Sequence, residues 1–219
     1  MTGDSQPTKL RDKAYIEFTR HLFERDVRPG QFVSQRELVA LTGLPLGAIR
    51  ELIPRLEVEG LIVTVPQRGM QIAHIDLNLI REAFQFRLFI EREAIALFTL
   101  NASDALLAQL RREHEAAREQ AAREGATPEL EARAQAIDWG FHDLLIDSLG
   151  NRIIAEAYRV NSVKIRLIRQ EYVRIDGQVD RVMGEHLSVI EAIESRDPAQ
   201  AQAALTRHID NARNLALTV

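Results

Sequence analysis

The most constraining feature of this chain is a change of pattern near residues 73–78. Before that stretch, prolines and glycines divide the sequence into short segments, one of which is rich in β-branched residues. After it, apolar residues recur at helical spacing, and the only prolines are Pro128 and Pro198, which suit the first turns of helices. The sequence therefore predicts two domains, residues 1–75 and 76–219, joined by a linker at about 73–78.

Composition excludes several classes of site. The chain has no cysteine, which excludes disulfide frameworks, thiolate metal sites and cysteine nucleophiles. Aromatic residues make up only 5% of the 219 residues, and such a composition favours helix over sheet. No apolar run approaches the roughly 18 residues of a membrane span, and the first residues lack the apolar core of a secretory signal. We therefore expect a cytoplasmic protein without a membrane partner.

Charge is unevenly divided between the two predicted domains. Residues 1–75 hold ten Lys and Arg against nine Asp and Glu, a net charge of +1. Residues 76–219 hold 18 against 23, a net of −5, which gives −4 for the whole chain. This balance argues against a protein that coats nucleic acid generally, but it permits a small DNA-reading domain on an acidic body.

The first domain shows a fixed order of short elements. The start of the second of them is marked by Ser34 with Glu37 three residues later, the pattern of a capping box. We expect a helix over about 9–24, a helix from Ser34 to Gly43, a helix over about 46–57, and a hairpin of strands 61–65 and 70–73. This order is the layout of a winged helix-turn-helix. A small α+β domain with another role is the alternative that the pattern leaves open.

Short motifs recur at fixed spacing through the same segment. They are Pro29-Gly30, Ser34, Arg36, Leu38, Gly43, Arg50-Glu51, Arg55-Leu56-Glu57, Glu59-Gly60-Leu61 and Arg68-Gly69. Over about residues 9–73 the chain resembles the DNA-binding domain of the gluconate-operon repressor (GntR) family of bacterial transcription regulators. The resemblance implies a winged helix-turn-helix that binds an operator. The recognition helix of the family usually starts with Ser-Arg-Thr-Pro, and this chain has Pro-Leu-Gly-Ala at positions 45–48 instead. Pro54 lies inside the same helix, where we expect a slight kink.

A recognition helix enters the major groove by its N-terminal residues. We expect base contacts near that end, with Arg50 at base edges or phosphate, Arg36 at a phosphate and Arg68 in the minor groove. The full predicted DNA-contact set is Arg36, Pro45, Leu46, Gly47, Ala48, Arg50, Arg68 and Gly69. For Arg36 and Arg50 an ion pair with the adjacent glutamate is the alternative, and Arg55 is expected to be structural.

The second domain is predicted to be an all-α bundle of six helices. Asn151 and Asp197 are placed to cap two of them. The apolar periodicity gives helices over about 77–100, 103–124, 128–149, 151–172, 178–196 and 198–217. The fold class is therefore mainly α, with an N-terminal winged helix-turn-helix and a C-terminal six-helix bundle.

Three of the six histidines fall within bundle helices beside acidic or apolar neighbours, at His142, His186 and His208. Asp138 lies four residues before His142, so the two share one helix face. Spacing alone does not bring the other two histidines to this pair, and packed or capping histidines are the alternative. The remaining three, His21, His74 and His114, are interpreted as surface or linker residues.

The acidic and histidine motifs of the bundle also have a counterpart in a known family. The strings D-x3-H, E-H-x3-I-x-A-I and D-x3-A-x6-H-I occur in order, starting at Asp138, Glu185 and Asp197. They resemble the FCD ligand domain of the FadR-type regulators. The resemblance implies a divalent cation held by Asp138, His142, His186 and His208. Three imidazoles and one carboxylate suit Zn, Ni, Mn or Fe(II).

A small organic acid is the expected ligand of such a centre. An octahedral ion with four protein ligands keeps two positions, which a carboxylate can fill. Arg87 matches an arginine of the family's first bundle helix and is expected to pair with a second carboxylate of the effector. An ion pair between Arg87 and Glu91, four residues on, is the alternative.

Together these features predict a sequence-specific transcription regulator. We expect a homodimer on an inverted-repeat operator, acting as a repressor under the control of a small carboxylate effector. Two alternatives stay open: a constitutive DNA-binding dimer with a structural metal or no ligand, and a metal-dependent helical hydrolase. The second is disfavoured because the sequence contains no nucleophile elbow, no H-E-x-x-H and no phosphate loop.

Overall fold

The computed structural model describes residues 10–125, 127–172, 175 and 177–218. The chain divides into two compact units, one ending at Asp76 and the other starting at Leu77. Within the described residues, no helix is both long enough and apolar enough to cross a membrane.

The first unit is a winged helix-turn-helix. Its elements are α1 (Leu10–Phe23), β1 (Phe32–Val33), α2 (Gln35–Thr42), α3 (Leu46–Val58), β2 (Ile62–Val65) and β3 (Gly69–Ile72). The strands form an antiparallel sheet in the order β1-β3-β2. The sequence reading missed β1, because a strand of two residues is too short to show an alternating pattern.

Local signals fix the boundaries of these short helices. Ser34 and Glu37 form the complete capping box: the Ser34 hydroxyl accepts from the Glu37 amide at 3.2 Å, and the Ser34 amide donates to the Glu37 carboxylate at 2.7 Å. Gly43 ends α2 with φ of 67°, in the left-handed region that glycine adopts without strain. Helix α3 continues past Pro54, which is exposed, and buries Ile49 and Leu52 in the domain core.

The second unit consists of six helices in its described residues, as the periodicity predicted. They are α4 (Leu77–Asn101), α5 (Asp104–Glu124), α6 (Pro128–Asp147), α7 (Arg152–Tyr172), α8 (Val179–Glu194) and α9 (Pro198–Leu217). Pro128 and Pro198 each open a helix behind a side-chain cap, from Thr127 and Asp197. The mainly α fold class is therefore confirmed.

Candidate functional site

Four buried side chains from three helices meet in the core of the second unit. Asp138 and His142 come from α6, His186 from α8 and His208 from α9. Nε2 of His186 lies 3.2 Å from Nε2 of His208, which lies 3.3 Å from Nε2 of His142. Oδ1 of Asp138 is 3.3 Å from Nε2 of His186. The four donor atoms all lie within 4.8 Å of one another, so the structure brings together the whole predicted ligand set.

Two of the imidazoles are held from behind by carboxylates. Nδ1 of His142 is 2.6 Å from Oε2 of Glu91, and Nδ1 of His208 is 2.8 Å from Oε2 of Glu185. An ionised carboxylate only accepts hydrogen bonds, so each Nδ1 must carry the hydrogen. A neutral ring with its hydrogen on Nδ1 has a bare lone pair on Nε2, the atom that faces the centre.

The third imidazole is held by another histidine. Nδ1 of His114 donates to the backbone carbonyl of Leu110 at 2.7 Å, which leaves Nε2 of His114 as an acceptor. Nδ1 of His186 lies 3.0 Å from that atom and therefore donates to it. With Nδ1 engaged in this way, Nε2 of His186 faces the same point as the Nε2 atoms of His142 and His208.

His114 was wrongly interpreted as a surface or linker residue. Its side chain is fully buried in the unit and completes the support of His186. The misleading signal was the surrounding stretch rich in Ala, Glu and Arg, which is typical of a solvated helix. A correct signal was present, because Leu107, Leu110 and Ala117 lie seven and four residues before and three after His114, on the same helix face.

The electrostatics of the cluster favour neutral imidazoles at His142 and His208 and an ionised carboxylate at Asp138. Burial lowers the pKa of His142 to about 4 and that of His208 to about 3, so both rings are neutral at neutral pH. Burial alone would raise the pKa of Asp138, but Arg169 and the adjacent histidines outweigh it and hold that pKa well below its usual value. Three converging imidazole nitrogens and one carboxylate oxygen make up a donor set that could hold a divalent metal ion.

Arg87 forms the ion pair that the sequence offered as the alternative. Its Nε donates to Oε1 of Glu91 at 2.7 Å, and the Tyr158 hydroxyl donates to the same oxygen at 2.6 Å. Burial alone would raise the pKa of Glu91, but Arg87 and His142 lower it to about 2. Glu91 therefore links the cationic Arg87 to one histidine of the cluster.

Arg169 is a functional candidate that sequence reasoning missed. It extends from α7, is 3% exposed, and donates through Nη1 to Oδ2 of Asp138. Asp138 and Arg169 are 31 residues apart in the chain, so no helical spacing could have paired them. By engaging Oδ2, Arg169 leaves Oδ1 as the oxygen that faces the histidines.

The winged helix presents part of the predicted DNA-contact set to solvent. Arg36, Pro45, Gly47 and Arg50 are exposed, and Leu46 is 41% exposed. Among the described residues, neither Arg36 nor Arg50 forms an ion pair, so the alternative proposed for both is wrong. Their guanidinium groups are available to a partner outside the chain.

Ala48 is wrongly included in that set. It is only 5% exposed, because it lies on the same face of α3 as the buried residues Ile49, Leu52 and Leu56. The sequence prediction treated all residues of the first turn of α3 as exposed, but the Ala48 side chain faces the domain core. The exposed part of that turn is therefore 45–47 and Arg50.

At the wing, Arg68 and Gly69 have different roles. Arg68 is exposed, with its guanidinium 4.2 Å above the ring of Phe32. Gly69 has φ of 95°, and a Cβ there would lie 3.1 Å from the carbonyl oxygen of Val33, so its place in the sheet requires glycine. Arg55 is structural as expected, since it pairs with Glu59 at 2.9 Å.

Comparisons with known proteins agree with this architecture. The FCD domain family matches residues 82–211. The Nta operon transcriptional regulator of Aminobacter aminovorans is 26% identical over 184 residues, which cover 83% of this chain and 82% of that protein. The solved structure of E. coli McbR/YncC, 14% identical, superposes with a TM-score of 0.78 over 97% of this chain and 99% of that one. The Zn2+-bound FCD domain of TM0439, 24% identical, superposes with a TM-score of 0.52 over 67% of this chain and 96% of that one.

Proposed function

Because the chain belongs to the FCD-domain family of GntR-type transcriptional regulators, we propose that it is a metal-dependent repressor that responds to a small organic acid. It binds an inverted-repeat operator as a homodimer in the cytoplasm. The observation that carries the metal-dependent part is the convergence of three imidazole Nε2 atoms and Oδ1 of Asp138. The family and the relatives are transcription regulators, so a hydrolase is not supported.

The residues of the centre divide into ligands and supports. Asp138, His142, His186 and His208 hold the cation, which supplies a Lewis-acidic position for a carboxylate of the effector. Glu91, Glu185 and His114 fix the hydrogen on the far nitrogen of each ring and keep the near nitrogen free. Such supports usually matter 10–100-fold for metal affinity.

The DNA-reading part of the proposal rests on Arg50, which is exposed and forms no ion pair within the part of the chain that the structure describes. We expect Arg50→Ala to weaken binding to the cognate operator by about 1–3 kcal/mol and to relax its sequence preference, because a bidentate arginine contact to guanine is lost. The measurement is a binding titration on the operator and on a scrambled duplex at fixed salt. Arg112→Ala, which removes an exposed arginine of the second unit, serves as the matched control. Equal operator affinity of Arg50→Ala and the unaltered chain would contradict this placement of α3.

The regulatory part is tested with small carboxylates. We expect an acid that binds the metal-loaded protein to raise its melting temperature and to change operator affinity about 5- to 150-fold, the range of typical allosteric coupling. Asp138→Ala and His208→Ala should abolish both effects, because the acid then has no metal to bind. Stabilisation that persists unchanged in these variants would place the acid elsewhere.

One observation favours a second function. The cavity beside the cluster, lined by Arg87, Trp139, His142 and Tyr158 among others, has a volume of only about 10 Å³. That is room for about one water molecule, which suits a structural ion in a constitutive DNA-binding dimer. If no acid that binds the protein alters operator affinity, this second function stands.

A further inference from the structure

The exposed start of α3 is almost entirely apolar. The helix begins at Leu46 behind Pro45, and the Pro45 side chain makes no capping hydrogen bond. Pro45, Leu46, Gly47 and Arg50 are exposed at this end of the helix. Of these four residues, only Arg50 carries a hydrogen-bonding group in its side chain. Any other side-chain contact that this surface makes is therefore a contact of hydrocarbon.

Leu46 is the large aliphatic side chain of this surface. It is 41% exposed and lies four residues before Arg50, so the two share one face of α3. A Cβ added at the adjacent Gly47 would meet no atom of the surrounding residues within 4 Å, so the helix surface next to Leu46 is open. An aliphatic side chain in such a place gains free energy when a partner covers it with another apolar group.

Charge indicates that the partner is DNA. Arg50 on α3 and Arg36 on α2 are both exposed, and neither forms an ion pair among the residues that the structure describes. Guanidinium groups that are not neutralised by the protein attract a polyanion, and the first residues of a recognition helix lie against base edges in the major groove. The group that covers Leu46 is therefore part of a base edge rather than an apolar surface of another protein.

Thymine is the base that offers an apolar group in the major groove. Its C5-methyl group projects there, whereas the edges of guanine, adenine and cytosine present hydrogen-bond donors and acceptors. A leucine side chain can pair with none of these polar groups. Covering one of them would remove its water without replacing the hydrogen bond, which costs free energy.

Resting on the DNA-binding function proposed above, we propose that Leu46 recognises the methyl group of a thymine in each half-site of the operator. Arg50 is four residues further along α3, a distance of about 6 Å along the helix axis. The base pairs of DNA are stacked at a spacing of roughly 3.4 Å. The thymine that Leu46 recognises therefore lies within about two base pairs of the group that Arg50 contacts.

The test removes this methyl group from the DNA. The full-length protein first selects its operator from a library of random duplexes, and each thymine of the selected site is then replaced by deoxyuridine, which lacks only the methyl group. At fixed salt concentration, we expect one such replacement in each half-site to weaken binding about fourfold, the effect of exposing one buried methyl-sized group. Replacements in the DNA outside the selected site should leave the affinity unchanged.

A variant of Leu46 separates the methyl contact from any effect of the methyl group on the duplex itself. In Leu46→Ala, operators with thymine and with deoxyuridine should bind equally well, because the shortened side chain no longer covers the methyl group. Val58→Ala shortens an aliphatic side chain that is 90% exposed at the other end of the same helix. This matched control should keep the full difference between the two operators.

Three results would overturn the inference alone. They are a selected operator without a thymine in its half-sites, equal binding of the thymine and deoxyuridine operators at every position, and a difference between them that persists in Leu46→Ala. The DNA-reading function would stand in all three cases, because the protein has still selected a sequence. A protein that selects no sequence from the library would overturn the DNA-reading function and this inference with it.

Discussion

Zn2+ or Ni2+ added to the metal-free protein raises the melting temperature of the second unit, and chelation reverses the rise. A cation that bridges ligands from α6, α8 and α9 binds the folded state in preference to the unfolded chain. At a free metal concentration 100 times the Kd, the stabilisation is about 2.7 kcal/mol, which corresponds to roughly 5–10 °C for a chain of this size. Thermal unfolding followed by Trp139 fluorescence, with metal content measured in parallel, gives both quantities.

The controls for this result are single histidine variants. His142→Ala should lose most of the shift because it removes one of four ligands. His74→Ala removes an exposed histidine of the first unit and should keep the full shift. Metal-dependent shifts of equal size in His142→Ala and in the unaltered protein would show that the ion binds elsewhere.

The second large effect is expected at Glu91. Glu91→Ala removes the acceptor shared by Arg87, His142 and Tyr158, all of them buried. It leaves a guanidinium in the core without a counter-charge, and breaking a buried ion pair in this way costs about 3–5 kcal/mol. The measurement is urea unfolding of the metal-free full-length chain followed by Trp139 fluorescence, which reports the second unit.

A matched surface variant shows whether the loss comes from burial. Glu156→Ala breaks the ion pair with Arg152, which has the same four-residue spacing but lies exposed to solvent. Its unfolding midpoint should not change measurably, because exposed pairs are screened by water. Should Glu91→Ala unfold at the same urea concentration as Glu156→Ala, Glu91 would have no structural role as the counter-ion of Arg87.

Local signals explain why so much of the fold was predictable. The capping box at Ser34, the glycine after α2 and the prolines that open α6 and α9 act within one turn of chain. Each fixes a boundary without help from distant residues. The two-residue β1 was missed because it is defined by its pairing with β3, which lies almost 40 residues further along the chain.

Part of the candidate metal site was also predictable from spacing within one helix. Asp138 and His142 share a helix face by spacing, but His186 and His208 joined them only through the family resemblance. The contacts of Arg169 with Asp138 and of His114 with His186 span 31 and 72 residues. Such contacts depend on how the helices pack, which periodicity does not encode. Ala48 was expected at the surface and is buried, because alanine occurs on either face of a helix and its identity does not indicate which.

The support of His186 by His114 has a consequence for how sequences of this kind can diverge. Two of the imidazoles depend on the side chains Glu91 and Glu185, which a single codon change can remove. The third imidazole, that of His186, is held by His114, which in turn donates to the main-chain carbonyl of Leu110. Any residue at position 110 supplies that carbonyl. We therefore expect relatives that keep the centre to vary freely among apolar residues at 110, while positions 91 and 185 retain a side chain that accepts a hydrogen bond.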